Sequence, residues 1–245
     1  MNYLSFKGEL KITNFDKTKV KLNNLFYSKC VGDEFLVLQD QEASHATQVL
    51  RKKKGDSIHV INGLGSMYEC LISDISKREV SCQINSRTYY EPSEYLTIAV
   101  APTKNRDRLE WMIEKLVEIG VKKIILLQTQ NTERTKTNKN RIQKKVLSAV
   151  KQSLRFYLPE VIEMTFDEVL KLDFQFKWIA HCEQDEKTTV LEDKSQDQVV
   201  LIGPEGDFTS KEITEAKEAG FLAIDLGNHR LRTETAALVA AARVK

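Results

Sequence analysis

The apolar pattern of this chain changes period once, near residue 90, and no other feature limits its fold as much. Before that point the apolar runs are short and separated by polar or glycine-bearing turns: Glu34–Leu38, Ser57–Ile61, Met67–Ile72 and Glu79–Ile84. Such spacing reads as a small β-rich domain, a barrel. One helical stretch, Glu42–Leu50, interrupts it and runs into Arg51-Lys52-Lys53-Lys54-Gly55-Asp56, which is either a solvated turn or a grip for phosphates. From Tyr95 onward, strands alternate with long helices, the pattern of a mainly parallel sheet covered by helices. Leu96–Ala101, Val121–Leu127, Lys177–Cys182 and Gln198–Ile202 read as buried strands. Arg108–Ile119 and Asn138–Leu154 read as helices, and Gly120 stands where a left-handed C-cap is expected. The boundary is expected at Tyr90–Glu94, giving domains 1–92 and 93–245.

Charge adds a partner. The formal net charge of +2 hides a strong partition: residues 101–160 carry 14 Lys and Arg against 6 Asp and Glu, while 161–198 carry 4 against 10. The basic block points to a polyanion; two ordinary solvated faces are the alternative. The four cysteines form no Cys-x-x-Cys pair, so neither a metal ribbon nor a disulfide framework is indicated, and no metal is expected. No apolar run is long enough for a membrane span, and Met1–Lys7 lacks a signal-peptide core, which places the protein in the cytoplasm.

Two loops carry the chemistry. Val199-Val200-Leu201-Ile202 ends at Gly203-Pro204-Glu205-Gly206, so this loop leaves the carboxyl end of a buried strand, the edge where parallel sheets bind ligands. Gly203 and Gly206 would let the backbone approach a flat ligand, with Pro204 fixing the turn. Thr209 to Glu212 matches a capping box, and the helix it opens runs to Gly220. A second unit follows: strand Leu222–Leu226, loop Gly227–Arg232, and a helix from Thr233 through Arg243, with Thr233 as its cap. Alanines 236, 237, 240, 241 and 242 make that helix thin, suited to close packing against backbone. Neither loop is a P-loop or a Gly-x-Gly-x-x-Gly turn.

At these residues the chain resembles the uracil-N3 methyltransferases of small-subunit ribosomal RNA, the RsmE type within the SPOUT class of S-adenosylmethionine-dependent enzymes. The likeness spans nearly the whole chain. It rests on Ser44–Arg51, Gly55-Asp56 and Asn62-Gly63 in the first part. In the second it rests on Lys104, Glu114-Lys115, Glu118–Val121, Glu133-Arg134, Gln152-Ser153, Arg155, Pro159 and both C-terminal loops. The resemblance implies a PUA-like β-barrel for RNA binding and an α/β methyltransferase domain with a C-terminal trefoil knot. It also implies a homodimer and methylation of N3 of a uridine in 16S ribosomal RNA or the small ribosomal subunit. A cofactor pocket is implied at His181, Ile202, Gly203, Pro204, Glu205, Gly206, Leu226, Gly227, Leu231 and Arg232; His181 could equally be structural. Asp207, His229 and Lys151 depart from the family's usual glycine, arginine and glutamate.

Methylating a uracil N3 requires loss of its proton, hence a base or a cation that stabilises the anion. Arg232 is the candidate cation, with Glu205 and Glu234 as candidate proton acceptors. RNA contacts are expected from Arg51, Lys52, Arg106, Arg108, Arg134, Lys151 and Arg155, with Arg141, Lys144 and Lys145 beside them. A different methyl acceptor, such as another RNA position or a ribose hydroxyl, is one alternative; a non-catalytic RNA-binding assembly factor is the other.

Overall fold

A computed structural model describes residues 10–12, 24–93, 95–133, 136–188 and 196–244. The chain forms two compact units, Met1–Pro92 with Val150–Leu158, and Ser93–Ala149 with Pro159–Lys245.

The first unit is built on a mostly antiparallel sheet of seven strands: β1 (Leu10–Ile12), β2 (Leu25–Tyr27), β3 (Cys30–Val31), β4 (Phe35–Gln39), β5 (Ser57–Ile61), β6 (Ser66–Ile75) and β7 (Glu79–Tyr89). They pair in the order β2-β5-β6-β7-β4-β3, with β1 alongside β7. Leu36 and Leu38, Ile58 and Val60, Cys70 and Ile72, and Val80 and Cys82 all point inward, because period-two alternation puts every second side chain on one face. The predicted helix is divided between α1 (Asp40–Ser44) and a π-helical turn, His45–Val49. In that turn the Leu50 amide donates to the His45 carbonyl, five residues back. Arg51 follows in the left-handed region at φ 52°.

Val150–Leu158 closes this unit from a distant part of the sequence. The Gly65 amide donates to the Phe156 carbonyl, the Leu158 amide to the Gly63 carbonyl, and the Tyr157 hydroxyl to Tyr90 O at 2.9 Å. The contiguous 93–245 domain expected from the sequence therefore lends these residues to the first unit. Their packing partners lie at the Gly63-Leu64-Gly65 turn, a tertiary contact that local periodicity does not encode.

The second unit contains six parallel strands: β8 (Leu96–Val100), β9 (Lys123–Gln128), β10 (Glu160–Thr165), β11 (Phe176–Ala180), β12 (Gln198–Ile202) and β13 (Leu222–Ala223). Their order is β10-β9-β8-β12-β11-β13. β8 and β12 lie side by side at the centre and are buried at every position, as their continuous apolar character requires. Among the described residues, five helices accompany this sheet: α2 (Arg106–Ile119), α3 (Lys139–Gln152), α4 (Phe166–Leu170), α5 (Ser210–Glu218) and α6 (Thr233–Val244). Gly120 ends α2 at φ 101°, and the Thr209–Glu212 capping box opens α5.

Two sequence expectations change here, and two elements are new. The strand predicted over Leu222–Leu226 is regular only to Ala223, after which Ile224 and Asp225 bond singly to Ile179 and Thr188. Thr233 is the first residue of α6, and its hydroxyl donates to the Gly203 carbonyl at 3.2 Å; it joins the two loops and leaves the cap position to Arg232, whose carbonyl accepts the Ala236 amide. β10 and α4 have no counterpart in the sequence reading, since β10 is an edge strand with weakly patterned burial. Among the described residues no helix is long and apolar enough to cross a membrane, and no cluster of His, Cys, Asp and Glu could hold a metal.

Candidate active site

Three loops leave the carboxyl edge of the parallel sheet: 181–188 after β11, 203–209 after β12, and 224–232 after β13. They enclose a cavity of about 670 Å³. Of the residues singled out from the sequence, His181, Ile202, Gly203, Pro204, Glu205, Leu226, Gly227, Leu231 and Arg232 line it; Gly206 does not. Lys187, Asp207, Asp225, Arg230, Thr233 and Ala236 also line it and were not singled out for this role. Ala236 marks the thin face of α6, whose Ala237, Ala240 and Ala241 are fully buried.

The first loop is held by its own chemistry. The Asp207 amide donates to Pro204 O at 2.9 Å, closing a tight turn, and Asp207 itself adopts φ 63°. That conformation suits glycine, and an aspartate tolerates it when its carboxylate finds local donors. Here one oxygen accepts the Phe208 amide and the other the Cys182 amide, both at 2.8 Å. The second bond ties this loop to the exit of β11. Neither Gly203 nor Gly206 has positive φ. A Cβ at Gly203 would meet the Phe208 ring at 3.1 Å and Asp207 Oδ1 at 3.2 Å, so a side chain there would press on the loop's own residues. The nearest neighbour of a Cβ at Gly206 would be 3.5 Å away, an ordinary contact. The left-handed position thus lies one residue beyond the glycine that drew attention to it.

The His181 imidazole is sealed from solvent, with a side-chain exposure of 0%. Neither ring nitrogen has a hydrogen-bond partner among the described residues, although Asp185 Oδ2 lies 3.4 Å from Nε2. Burial, ahead of any neighbouring charge, pushes its pKa down and keeps the ring neutral. Its carbonyl accepts from Lys187 Nζ at 2.7 Å. His181 therefore borders the cavity as a packed wall whose ring nitrogens do not open onto it. Burial and then Asp207 push the adjacent Cys182 thiol up, which disfavours its thiolate.

The second loop is mostly exposed. Its side-chain fastenings are the Gly227 amide to Asp225 Oδ1, Arg243 to the Asp225 carbonyl, and Arg230 to the Glu205 carbonyl at 3.3 Å. Arg232 lines this cavity and also a more open one beside α2. The three candidate catalytic residues are not gathered together. Glu205 lies in the first cavity, whereas Glu234 is buried at the second with Arg108 Nε 3.8 Å away; Arg232 alone faces both. Lys104, just beyond β8, pairs with Glu133 at 2.7 Å. That bond, and more weakly Glu205, push its pKa up.

The expected RNA-binding cations meet different fates. Lys151 pairs with Glu42 at 2.6 Å in a mostly buried contact, and Glu42 also accepts the Tyr27 amide. Its charge is paired inside the first unit. Arg106 and Arg141 both approach the buried Glu110, and Lys145 reaches Glu114 at 3.3 Å. Much of the basic block is therefore neutralised between α2 and α3. Arg108 is left at the open cavity, Arg51 is exposed, and Lys52 Nζ donates to the Ser57 carbonyl. Arg155 lies in the segment that packs with the first unit, and Arg134 lies outside the described residues.

Comparison with known proteins matches residues 91–245 to an RNA methyltransferase domain and residues 38–85 to an RNA methyltransferase PUA domain. The chain is 30% identical over 237 residues to the ribosomal RNA small subunit methyltransferase E of Rickettsia conorii, covering 92% of this chain and 96% of that one. It is 27% identical to the Bacillus subtilis protein of the same name, covering 82% and 85% of the two chains. A crystal structure of a ribosomal RNA small subunit methyltransferase E from Neisseria gonorrhoeae bound to S-adenosyl methionine superposes with a TM-score of 0.80 at 28% identity, covering 89% of this chain and 95% of that one.

Proposed function

Because the chain belongs to the RNA methyltransferase family, among the ribosomal RNA small subunit methyltransferase E proteins, we propose that it methylates N3 of a uridine in 16S ribosomal RNA. It is a methyltransferase that depends on S-adenosylmethionine. The observation that carries the reading is the cavity of about 670 Å³ at the carboxyl edge of β11 and β12, walled by both glycine-bearing loops.

The residues present suit that cofactor. Ile202, Leu226, Leu231 and Ala236 offer apolar walls for a heterocycle, while Glu205, Asp207 and Asp225 place carboxylates in the same cavity, complementary to a cationic ligand. A neutral His181 adds no opposing charge. When bound, S-adenosylmethionine supplies a methyl group activated by a sulfonium centre. The protein's own tasks are to align, to exclude water and to manage the N3 proton. Arg232 stabilises negative charge on the uracil oxygens as N3 loses its proton, from a position that faces both cavities. Glu205, on the cofactor side, is the better placed of the two carboxylates to accept that proton, since Glu234 is buried beside Arg108. The proposal includes pairing of two copies of the chain, trefoil threading of the C-terminal region, and action on RNA in the cytoplasm.

The test is nucleoside analysis of 16S ribosomal RNA from cells lacking this protein, before and after incubation with the purified chain and S-adenosylmethionine. Appearance of 3-methyluridine is the expected outcome; RNA unchanged, or methylated on ribose or another base, overturns the assignment.

A further inference from the structure

The 203–209 loop is braced from outside the cavity it helps to wall. Strand β9 ends at Gln128, and the chain then folds into a turn: the Thr132 amide donates to the Thr129 carbonyl at 3.2 Å, and the Thr129 amide to Thr132 Oγ1 at 2.9 Å. The Gln130 amide donates to Glu212 Oε1 at 2.9 Å, while the other oxygen of that buried carboxylate accepts the Thr209 amide in the α5 capping box. This turn is thus pinned to the helix that the 203–209 loop enters. At its tip stands Asn131, whose Nδ2 lies 3.1 Å from the Asp207 carbonyl and 3.4 Å from the Gly206 carbonyl.

Those carbonyls belong to the two peptide groups that flank the left-handed residue. In the 206–207 peptide the amide donates to the Pro204 carbonyl and the carbonyl accepts from Asn131. In the 207–208 peptide the amide donates to Asp207 Oδ1 and the carbonyl again accepts from Asn131. Both planes are therefore held at both ends. A non-glycine residue at φ 63° is disfavoured and persists only where its surroundings over-determine it. Rotating either plane would break a bond to Asn131 and redraw the neighbouring Gly203, Pro204 and Glu205, which line the cavity. Gly206, which does not line it, faces the brace instead: the nearest neighbours of a Cβ there would be Asn131 atoms. Asn131 is itself exposed, so core packing does not explain its placement.

We propose that Asn131 is a positioning residue for the methyl donor: by holding the two peptides around Asp207 it fixes the outline of Gly203–Glu205 against which S-adenosylmethionine binds. The inference rests on the cofactor reading of the first cavity and not on the identity of the methylated base.

Asn131→Asp keeps the shape of the side chain and replaces the N–H donor with an oxygen that repels both carbonyls. Calorimetric titration of the full chain with S-adenosylmethionine should show affinity about fivefold weaker in Asn131→Ala, the loss expected for one neutral hydrogen bond, and at least as weak in Asn131→Asp. Asn131→Gln, which keeps an N–H donor, should recover part of that loss. In the cofactor-free protein, amide hydrogen exchange over residues 204–208 should quicken in Asn131→Asp while β12 exchanges as in the wild type. In methylation of 16S ribosomal RNA, the KM for S-adenosylmethionine should rise while kcat stays within about twofold. Combined with Asp207→Gly, the loss of affinity should fall short of the product of the two single effects, since both release the same peptides. Cofactor affinity in Asn131→Asp equal to that of the wild type overturns the inference and leaves the function standing. Weaker binding accompanied by faster exchange throughout the parallel sheet overturns it as well, since the residue would then serve general stability. A wild type that does not bind the cofactor overturns the assignment of the cavity and the inference with it. The expected loss in Asn131→Asp, with no 3-methyluridine formed by the wild type, supports the brace and rejects only the uridine-N3 reading.

Discussion

The two glycine-bearing loops arise from equivalent places, each leaving a strand of the parallel sheet and entering a helix, yet they are fastened very differently. In the first, Gly203, Pro204 and Phe208 are buried, and Asp207 binds two backbone amides while its own amide closes the turn. In the second, residues 227–230 and Arg232 are exposed, and a few bonds to Asp225 and Glu205 hold them. A loop satisfied from within is preorganised and suits a ligand that must be held identically in every turnover. A loop bonded mainly at its ends can adjust. The contrast assigns precision to 203–208 and adaptability to 227–232.

Removing the charge of the adaptable loop should have the largest effect. Arg232→Ala should lower kcat about 100- to 1000-fold, the loss typical of deleting one donor that stabilises developing negative charge, with S-adenosylmethionine affinity changed little. Near-normal turnover together with normal cofactor binding would remove Arg232 from the chemistry. Next in size, Asp207→Gly should raise the KM for S-adenosylmethionine about tenfold: the loop loses two amide-to-carboxylate bonds, while glycine adopts the left-handed conformation at φ 63° without strain and offsets part of that loss. Its kcat should stay within about threefold, and Asp207→Asn should recover part of the affinity. Isothermal titration and steady-state kinetics measured together would break the contrast if kcat fell instead.

A third, smaller effect concerns the wall behind the precise loop. Burial lowers the His181 pKa, so the folded state resists protonation that the unfolded state accepts near its ordinary value of about 6.5. Stability from this residue is complete above that value and declines as pH falls through it toward the lowered folded pKa. Melting temperatures between pH 7.5 and 5 should therefore fall more steeply for the wild type than for His181→Gln; parallel slopes would show that the ring titrates freely. The smallest effect is expected at Arg230→Ala, which removes one exposed hydrogen bond to the Glu205 carbonyl and should change either KM only about twofold.

The sequence disclosed the fold where local rules dominate. The Thr209–Glu212 box and Gly120 occupy their predicted roles because a cap depends on residues within one turn. Gln198–Ile202 is a buried strand end to end because an apolar β-branched run has few other options in a parallel sheet. At the site, the positions of both loops were legible from strand-to-helix punctuation. Their fastenings were not: the Asp207 bond to Cys182 spans 25 residues, and the joining of Thr233 to Gly203 spans 30. The charge partition misled in one respect. A count along the chain cannot see that Glu110 and Glu114 on α2 meet Arg141 and Lys145 on α3, or that Lys151 reaches Glu42 across 109 residues.

By itself, then, the sequence determined the two kinds of sheet, the helices that cover the parallel one, and the edge from which the ligand-binding loops leave, since all three follow from periodicity and from the conformations open to Gly, Pro and the capping residues. Tertiary structure alone decided which cations keep a free charge, that His181 is a sealed wall, that residues 150–158 complete the first unit, and that Arg232 borders two cavities. Those outcomes depend on contacts between residues far apart in the chain, where burial and pairing energies override what each side chain would do in its local segment.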